Sequence, residues 1–377
     1  MNNLTILFTP LDGWGHINAC HGLAEELKSR GHRVVFAIDK AFKGKLIAYG
    51  FEEYLHGLNT DGEVIEYWPL FMEQNCHYLK EKPIVMVEKF LVTALTKMFA
   101  DNKEREQQYE HIIHKVKPDL IVTDNYICMP TITNAGIPWV WLFSAALHQA
   151  LDDNRIPPAW SGAPKLADRR LHPLSPYLNI YLWPKEFEYE FLEPMDNNWV
   201  RVENFIRTTH ETFEIPKQLL VRPSNQSKLV FLSMGSFGCA NIELMTRLTT
   251  VLAQSQHRFI ISKGPVFEKH SLPPNMWGQR FLPQTAILPL VDLVISHGGT
   301  TVTESYFYGK PVLVLPLFGD QLDVGQRVME TKLGICLNPF YCTDEQLLNA
   351  IDTMAADTAL AQTIANIGKR MREMFNI

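Results

Sequence analysis

The chain has 377 residues, 46% of them hydrophobic, and a formal net charge of −6, so it is long enough for two cores and lacks the basic cluster that nucleic acid or an anionic membrane surface would require. Its six cysteines (Cys20, Cys76, Cys128, Cys239, Cys336, Cys342) show neither C-x-x-C nor zinc-ligand spacing, which favours free thiols in a reducing compartment over a disulfide framework. Residues 1–8 carry no basic start or long apolar run, and the most apolar stretch, residues 135–147, contains Pro138 and falls short of the ~20 residues of a membrane helix. A soluble globular protein is expected.

Residues 5–8 predict a short buried strand that runs into a loop containing Gly13, Trp14, Gly15 and His16. Helical spacing follows over residues 17–28, Gly31 ends that helix, and residues 33–38 form the next strand of a βαβ unit. Gly13-x-Gly15 is not a dinucleotide fingerprint, because the third glycine and the later acidic partner are missing. His16 is therefore expected just past the carboxyl end of the first strand, the edge at which open α/β sheets bind ligands. Residues 40–117 show helical spacing over 88–98 and 104–116 and an irregular segment containing Trp68, Phe71 and Met72. The run 118–124 predicts a strand ending in Asp124, again a carboxylate at the sheet edge. Residues 150–177, rich in Pro, Asp, Arg and Ser, predict a long loop. Low periodicity and the breakers Pro216 and Pro223 mark an interdomain linker over 208–227, between domains spanning 1–207 and 228–377.

The second domain opens as the first does, with a strand over 229–233, a Gly235-Ser236 loop, a helix over 242–255 and a strand over 258–262. A Gly-Ser loop at a strand end can offer backbone N–H groups and a hydroxyl to a phosphate. Residues 281–326 hold the densest set of candidates. Phe281-Leu282-Pro283-Gln284 supplies an aromatic face for a base and an amide for its edge or a ribose. A β-branched strand over 291–296 leads to His297, Gly298, Gly299, Thr300 and Thr301, then to Glu304 in a helix, a turn whose unpaired N–H groups suit a diphosphate. A strand over 311–316 ends near Asp320 and Gln321, an acceptor-only group beside an amide that both donates and accepts, which suits sugar hydroxyls. The HGG loop of α/β-hydrolases is a rival match, but no G-x-S-x-G elbow accompanies it and Gly235-Ser236-Phe237-Gly238 has the wrong spacing.

The order Phe-Leu-Pro-Gln, Ser-His-Gly-Gly, Glu, Gly-Lys-Pro and Pro-Leu-Phe-Gly-Asp-Gln resembles the donor signature of family 1 UDP-dependent glycosyltransferases, and Gly15-His16-Ile17-Asn18 resembles that family's Gly-His-Ile-Asn, followed here by Ala19 in place of Pro. The resemblance covers nearly the whole chain, strongest over 228–327, and looks closest to soluble arthropod and bacterial-type members. It implies a GT-B architecture, an α/β fold of two Rossmann-like domains facing each other across a cleft. It also implies inverting transfer of a sugar from a UDP-sugar to a hydroxyl of a small lipophilic acceptor, as in detoxification. His16 is then the catalytic base and Asp124 its orienting partner. The donor is held by Gly235, Ser236, Phe281, Leu282, Gln284, His297, Gly299, Thr300, Thr301, Glu304, Asp320 and Gln321, and the acceptor by Trp14, Trp68, Phe71, Met72, Tyr126 and Phe143. Glucose is expected over a uronic acid, since no Arg signature lies near Asp320 and Gln321. No D-x-D occurs, so no metal and no cofactor beyond the UDP-sugar co-substrate is expected, and the setting is cytoplasmic. The His297 to Glu304 run is one residue shorter than the family's, and members continue past the equivalent of Ile377 with a further helix; residues near 167, near 300 and after 377 are therefore expected to be missing. These departures keep open a non-catalytic protein that binds UDP-sugar or a lipophile. A further alternative is transfer to a lipid or cell-wall intermediate.

Overall fold

The computed structural model describes residues 3–57, 67–147, 172–192, 198–203, 205–265, 268 and 271–374. The expected loop over 150–177 falls mostly outside them. Thirteen strands form among the described residues, and every pairing between them is parallel. They divide into two sheets, each within its own compact unit.

The first sheet contains β1 (Thr5–Pro10), β2 (Arg33–Asp39), β3 (Glu52–His56), β4 (Leu120–Asp124), β5 (Trp139–Phe143), β6 (Leu178–Tyr181) and β7 (Trp199–Arg201), in the order β3-β2-β1-β4-β5-β6-β7. Its central strands β1, β2, β4 and β5 are buried along nearly their whole length, as the inner strands of a parallel sheet are. Alternate residues share a face, so Ile6 and Phe8, Val34, Phe36 and Ile38, Val122, and Val140 and Leu142 build one core with Ile17, Cys20, Leu23 and Ala24 of the helix Trp14–Ser29. Phe8 stacks on Phe36 with ring centroids 5.0 Å apart. Burying such side chains contributes roughly 1.5–3 kcal/mol each, which fixes the register of β1 against β2 and β4. The chain reverses direction of winding between β1 and β4, and this switch point is where a doubly wound sheet leaves a crevice at its carboxyl edge.

The second sheet contains β8 (Leu229–Ser233), β9 (Arg258–Ser262), β10 (Met276–Gln279), β11 (Leu293–Ser296), β12 (Val312–Val314) and β13 (Gly334–Cys336), in the order β10-β9-β8-β11-β12-β13. β8 and β11 are buried along their whole length, and their adjacency makes a second switch point of the same kind.

Two local expectations are corrected. Residues 67–75 form a helix, Tyr67–Asn75, because Pro69 lies in its first turn, where the missing N–H has no helical partner to lose. The two helical runs expected over 88–98 and 104–116 are largely one helix, Val92–Val116, entered through a π turn at Val87–Leu91. Among the described residues the first unit is also not a continuous stretch: Trp68–Met86 belongs to the second, which otherwise begins at Thr208. Trp68 meets Phe237 at 5.7 Å between rings, Lys80 pairs with Glu243, and the Tyr341 hydroxyl donates to the Lys80 carbonyl. All six cysteines are free, and no helix among the described residues is long and apolar enough to cross a membrane.

Candidate active site

At the first switch point, β1 is tied to β4 beyond its end by the Leu11 N–H donating to the Asp124 carbonyl at 2.8 Å. The chain turns at Gly13 and enters the helix Trp14–Ser29, so His16 lies in the first helical turn and not in a preceding loop. That turn aims its ring at the end of the neighbouring strand. His16 Nδ1 is 3.0 Å from Asp124 Oδ2, with the histidine side chain 17% exposed and the carboxylate 3%. A buried carboxylate accepts only, so it holds the Nδ1–H tautomer and leaves Nε2 as the basic nitrogen. Tyr126 sets its ring edge-on to His16 at 5.4 Å, and Phe143 meets Tyr126 edge-on at 6.4 Å.

Ser144, the first residue past β5, brings its Oγ to 3.1 Å from the same Nδ1. Sequence reasoning did not single it out; the available signal was a hydroxyl directly after an apolar strand at the edge that carries His16 and Asp124. Trp14 packs edge-on against Phe42 at 5.2 Å, partly buried against the core. Met72 and Phe71 are buried at 1% and 5% exposure, so these two side chains contribute little accessible surface to an acceptor.

Beside this dyad lies a second ionic group. Asp12 accepts from the Asp39 N–H at 3.0 Å, and Arg105 donates to Asp12 at 2.5 Å and to Asp39 at 3.2 Å. His56, bonded to Tyr109 at 2.8 Å, is held at about 3 by burial and then by the Arg105 charge. Asp12, Asp39 and His56 bring ligand atoms within 4.8 Å of one another. The guanidinium already supplies the cation between the two carboxylates, so the group braces the turn between β1 and the helix that carries His16.

The second switch point is built from glycines around one imidazole. Gly235 has φ +66°, and a Cβ there would come within 2.7 Å of His297 Cε1; one at Gly299 would come within 2.7 Å of Nε2. Only glycine lets both turns close on the ring. Burial holds His297 down at about 4, with the Ser233 backbone opposing the shift, so the ring is neutral at pH 7. Gly298, at φ +99°, lies against the Gln321 backbone, which joins the β11 turn to the helix Asp320–Thr331. The Gln321 side-chain oxygen accepts from the Leu317 and Phe318 N–H groups at 2.9 and 3.3 Å. This fixes the side chain while its amide nitrogen has no partner among the described residues. Asp320 is the first residue of that helix; the capping position is Gly319.

Gln284 donates to Thr301 Oγ1 at 3.2 Å and to the Glu304 carboxylate. Thr301 and Glu304 are each only 5% exposed, whereas Thr300 is half-buried at the cap of the short helix Thr301–Phe307. Phe281 is 43% exposed with the Arg280 guanidinium over its ring at 5.1 Å, and Leu282 and Ser236 are half-buried. Gly235, Ser236, His297, Gly299 and Gln321 thus gather about one turn, and Gln284, Thr301 and Glu304 form a bonded set beside it. An aromatic row not foreseen from sequence, Trp68, Phe237 and Phe318, flanks the turn; Phe237 and Phe318 stack at 6.4 Å.

A family profile described as UDP-glucoronosyl and UDP-glucosyl transferase matches residues 167–369. The chain belongs to this family. The NDP-glycosyltransferase YjiC of Bacillus subtilis (strain 168) is 24% identical over 396 residues, covering 99% of this chain and 94% of that protein. The demethyllactenocin mycarosyltransferase of Streptomyces fradiae is 22% identical over 404 residues, covering 97% and 83%. Among solved structures, the spinosyn rhamnosyltransferase SpnG complexed with thymidine diphosphate superposes with a TM-score of 0.65 at 17% identity, covering 99% of both chains. The fold is that of GT-B glycosyltransferases, with two Rossmann-like parallel sheets, and this family member is a glycosyltransferase of bacterial type.

Proposed function

We propose that this glycosyltransferase moves a sugar, glucose in the first instance, from a UDP-sugar to a hydroxyl of a small lipophilic acceptor, with inversion at the anomeric carbon. The observation that carries the reading is the His16–Asp124 pair at 3.0 Å, at the switch point of the first sheet. His16 Nε2 takes the acceptor proton as the acceptor oxygen bonds to the anomeric carbon. The bond from that carbon to the diphosphate oxygen breaks, and its electron pair leaves with UDP. Asp124 stabilises the imidazolium that forms, a general-base task worth about 10²–10⁴-fold.

The growing negative charge on UDP is met by backbone N–H groups of the Gly235-Ser236 and His297–Thr300 turns and by a neutral His297. Such fixed donors act where the charge develops, and on this reading no metal is required. Phe281 stacks on the base, Glu304 and Gln284 serve the ribose, and Asp320 with the amide of Gln321 reads the sugar hydroxyls. The acceptor rests on Tyr126, whose ring lies beside His16, and on Phe143, which meets Tyr126. The six free cysteines support a reducing, cytoplasmic setting.

A donor carrying thymidine diphosphate is a second reading, favoured by the nucleotide bound to SpnG. The deciding assay follows nucleotide release from UDP-glucose and from dTDP-glucose, each with and without a phenolic acceptor. Acceptor-dependent release from UDP-glucose is expected. Tight donor binding without release under any condition would replace the enzyme reading with that of a binding protein.

A further inference from the structure

The structure assigns Ser144 a part in the chemistry: we propose that its hydroxyl is a positioning group that shares the Nδ1–H of His16 with Asp124 and so raises the basicity of Nε2. The inference rests on the reading of His16 as base. Its ground is the convergence of three adjacent strands. His16 follows β1, Asp124 ends β4 and Ser144 follows β5, and the sheet order β1-β4-β5 brings all three to one edge.

The proton arrangement follows from the distances. Asp124 Oδ2 lies 3.0 Å and Ser144 Oγ 3.1 Å from the same ring nitrogen. Nδ1 either carries a hydrogen or presents a lone pair. A lone pair would satisfy a donating serine, but would face the carboxylate oxygen at 3.0 Å with no hydrogen between them. A charge-assisted bond is roughly twice as strong as a neutral one, so Asp124 decides the tautomer and Nδ1 carries the hydrogen. Ser144 Oγ then accepts a share of that N–H. When His16 takes the acceptor proton, both oxygens face an imidazolium N–H, and both stabilise it. The same geometry excludes a hydrolase-type nucleophile, which would have to meet Nε2 while the carboxylate holds Nδ1.

Other titratable groups around the pair do not compete for this role. Tyr126, from the segment after β4, presents a ring edge. Cys20, one turn along the His16 helix, and His172 both feel the Asp124 charge; burial pushes the Cys20 thiol well up and His172 down to about 4, so both stay neutral at pH 7. Among the described residues, Asp124 is thus the charged group bonded to His16 Nδ1, and Ser144 a neutral group on the same nitrogen.

The test compares Ser144→Ala, Ser144→Thr and His16→Ala in single-turnover transfer from UDP-glucose to a phenolic acceptor across pH 5–9, so that chemistry and not product release is read. One shared hydrogen bond corresponds to about a 2–12-fold effect. Ser144→Ala is expected to slow transfer about 3–10-fold with UDP affinity unchanged. It should also move the acid limb of the profile to lower pH, because a base that has lost a partner for its charged form is protonated less readily. Ser144→Thr, which keeps the hydroxyl, should restore both rate and limb. An acid limb unmoved in Ser144→Ala, with His16→Ala inactive, overturns the role of Ser144 and leaves the base assignment standing. Wild-type turnover in His16→Ala overturns both.

Discussion

The six-stranded second sheet repeats the order of the first six strands of the seven-stranded first, with a switch point between first and fourth strands in both, yet the two crevices are furnished differently. The first holds groups that titrate or steer a proton: His16 in a helical turn, Asp124 at a strand end and Ser144 on the same nitrogen. The second holds Gly235, Gly298 and Gly299 closed around His297, whose ring burial keeps neutral, with Gln321 locked by backbone donors beside it. Topology supplies a crevice in both cases, and under the proposed function the side chains make the first a proton-transfer site and the second a holder of anions and hydroxyls. Substitutions at the first should therefore change rate, and those at the second affinity or selectivity.

The largest effect is expected from His16→Ala, which should lower transfer by about 10²–10⁴-fold. Asp124→Asn should cost less, because the ring stays in place; its amide can nevertheless donate to Nδ1 and favour the wrong tautomer. Wild-type turnover in Asp124→Asn would reduce Asp124 to a turn residue.

At the second crevice, Gly235→Ala places a non-glycine residue at positive φ and drives its Cβ into the His297 ring, a strain of roughly 1–3 kcal/mol. Titration should show weaker UDP binding. Phe281→Ala should weaken UDP by about 1–3 kcal/mol through lost stacking. Asp320→Ala should leave UDP affinity intact, reduce transfer from UDP-glucose and blunt discrimination against UDP-galactose, at about 1–3 kcal/mol for an unpaired polar group. Gly319 and not Asp320 occupies the helix cap, so no capping bond is lost with the carboxylate. A large fall in Tm with unaltered sugar preference would make it a structural residue.

A separate effect, on stability and not on transfer, concerns pH. His56, His172 and His297 are held by burial at about 3, 4 and 4, below the ordinary 6.5. Between those values and 6.5 the unfolded chain binds protons that the folded chain does not, so stability is full above about 6.5 and declines as pH falls toward 4. Denaturant midpoints at pH 7 and pH 5 should differ in that direction. UDP binding near pH 5 should also take up a proton, since a diphosphate beside His297 favours its charged form.

Much of this plan could be read from the sequence. Apolar runs ending in His, Asp or Gly marked the strands and placed His16, Asp124 and His297 at carboxyl edges, because strand period and turn residues are local signals. What escaped depends on contacts distant in sequence. Ser144 carries no motif and acquires meaning only because β5 lies beside β4. The pairing of Gln284 with Glu304 spans 20 residues, and nothing local shows that the glutamate is buried. The segment Trp68–Met86 looked like part of the first domain by position, whereas its contacts with Phe237, Glu243 and Tyr341 join it to the second unit.

The contrast between the crevices is tested most directly by measuring UDP affinity and single-turnover transfer on the His16→Ala and Gly235→Ala proteins together. The account predicts that His16→Ala binds UDP like the wild type and transfers about 10²–10⁴-fold more slowly, while Gly235→Ala binds UDP more weakly and recovers much of its rate at saturating donor. Loss of UDP affinity in His16→Ala, or wild-type turnover in it, would contradict the division of labour between the two switch points.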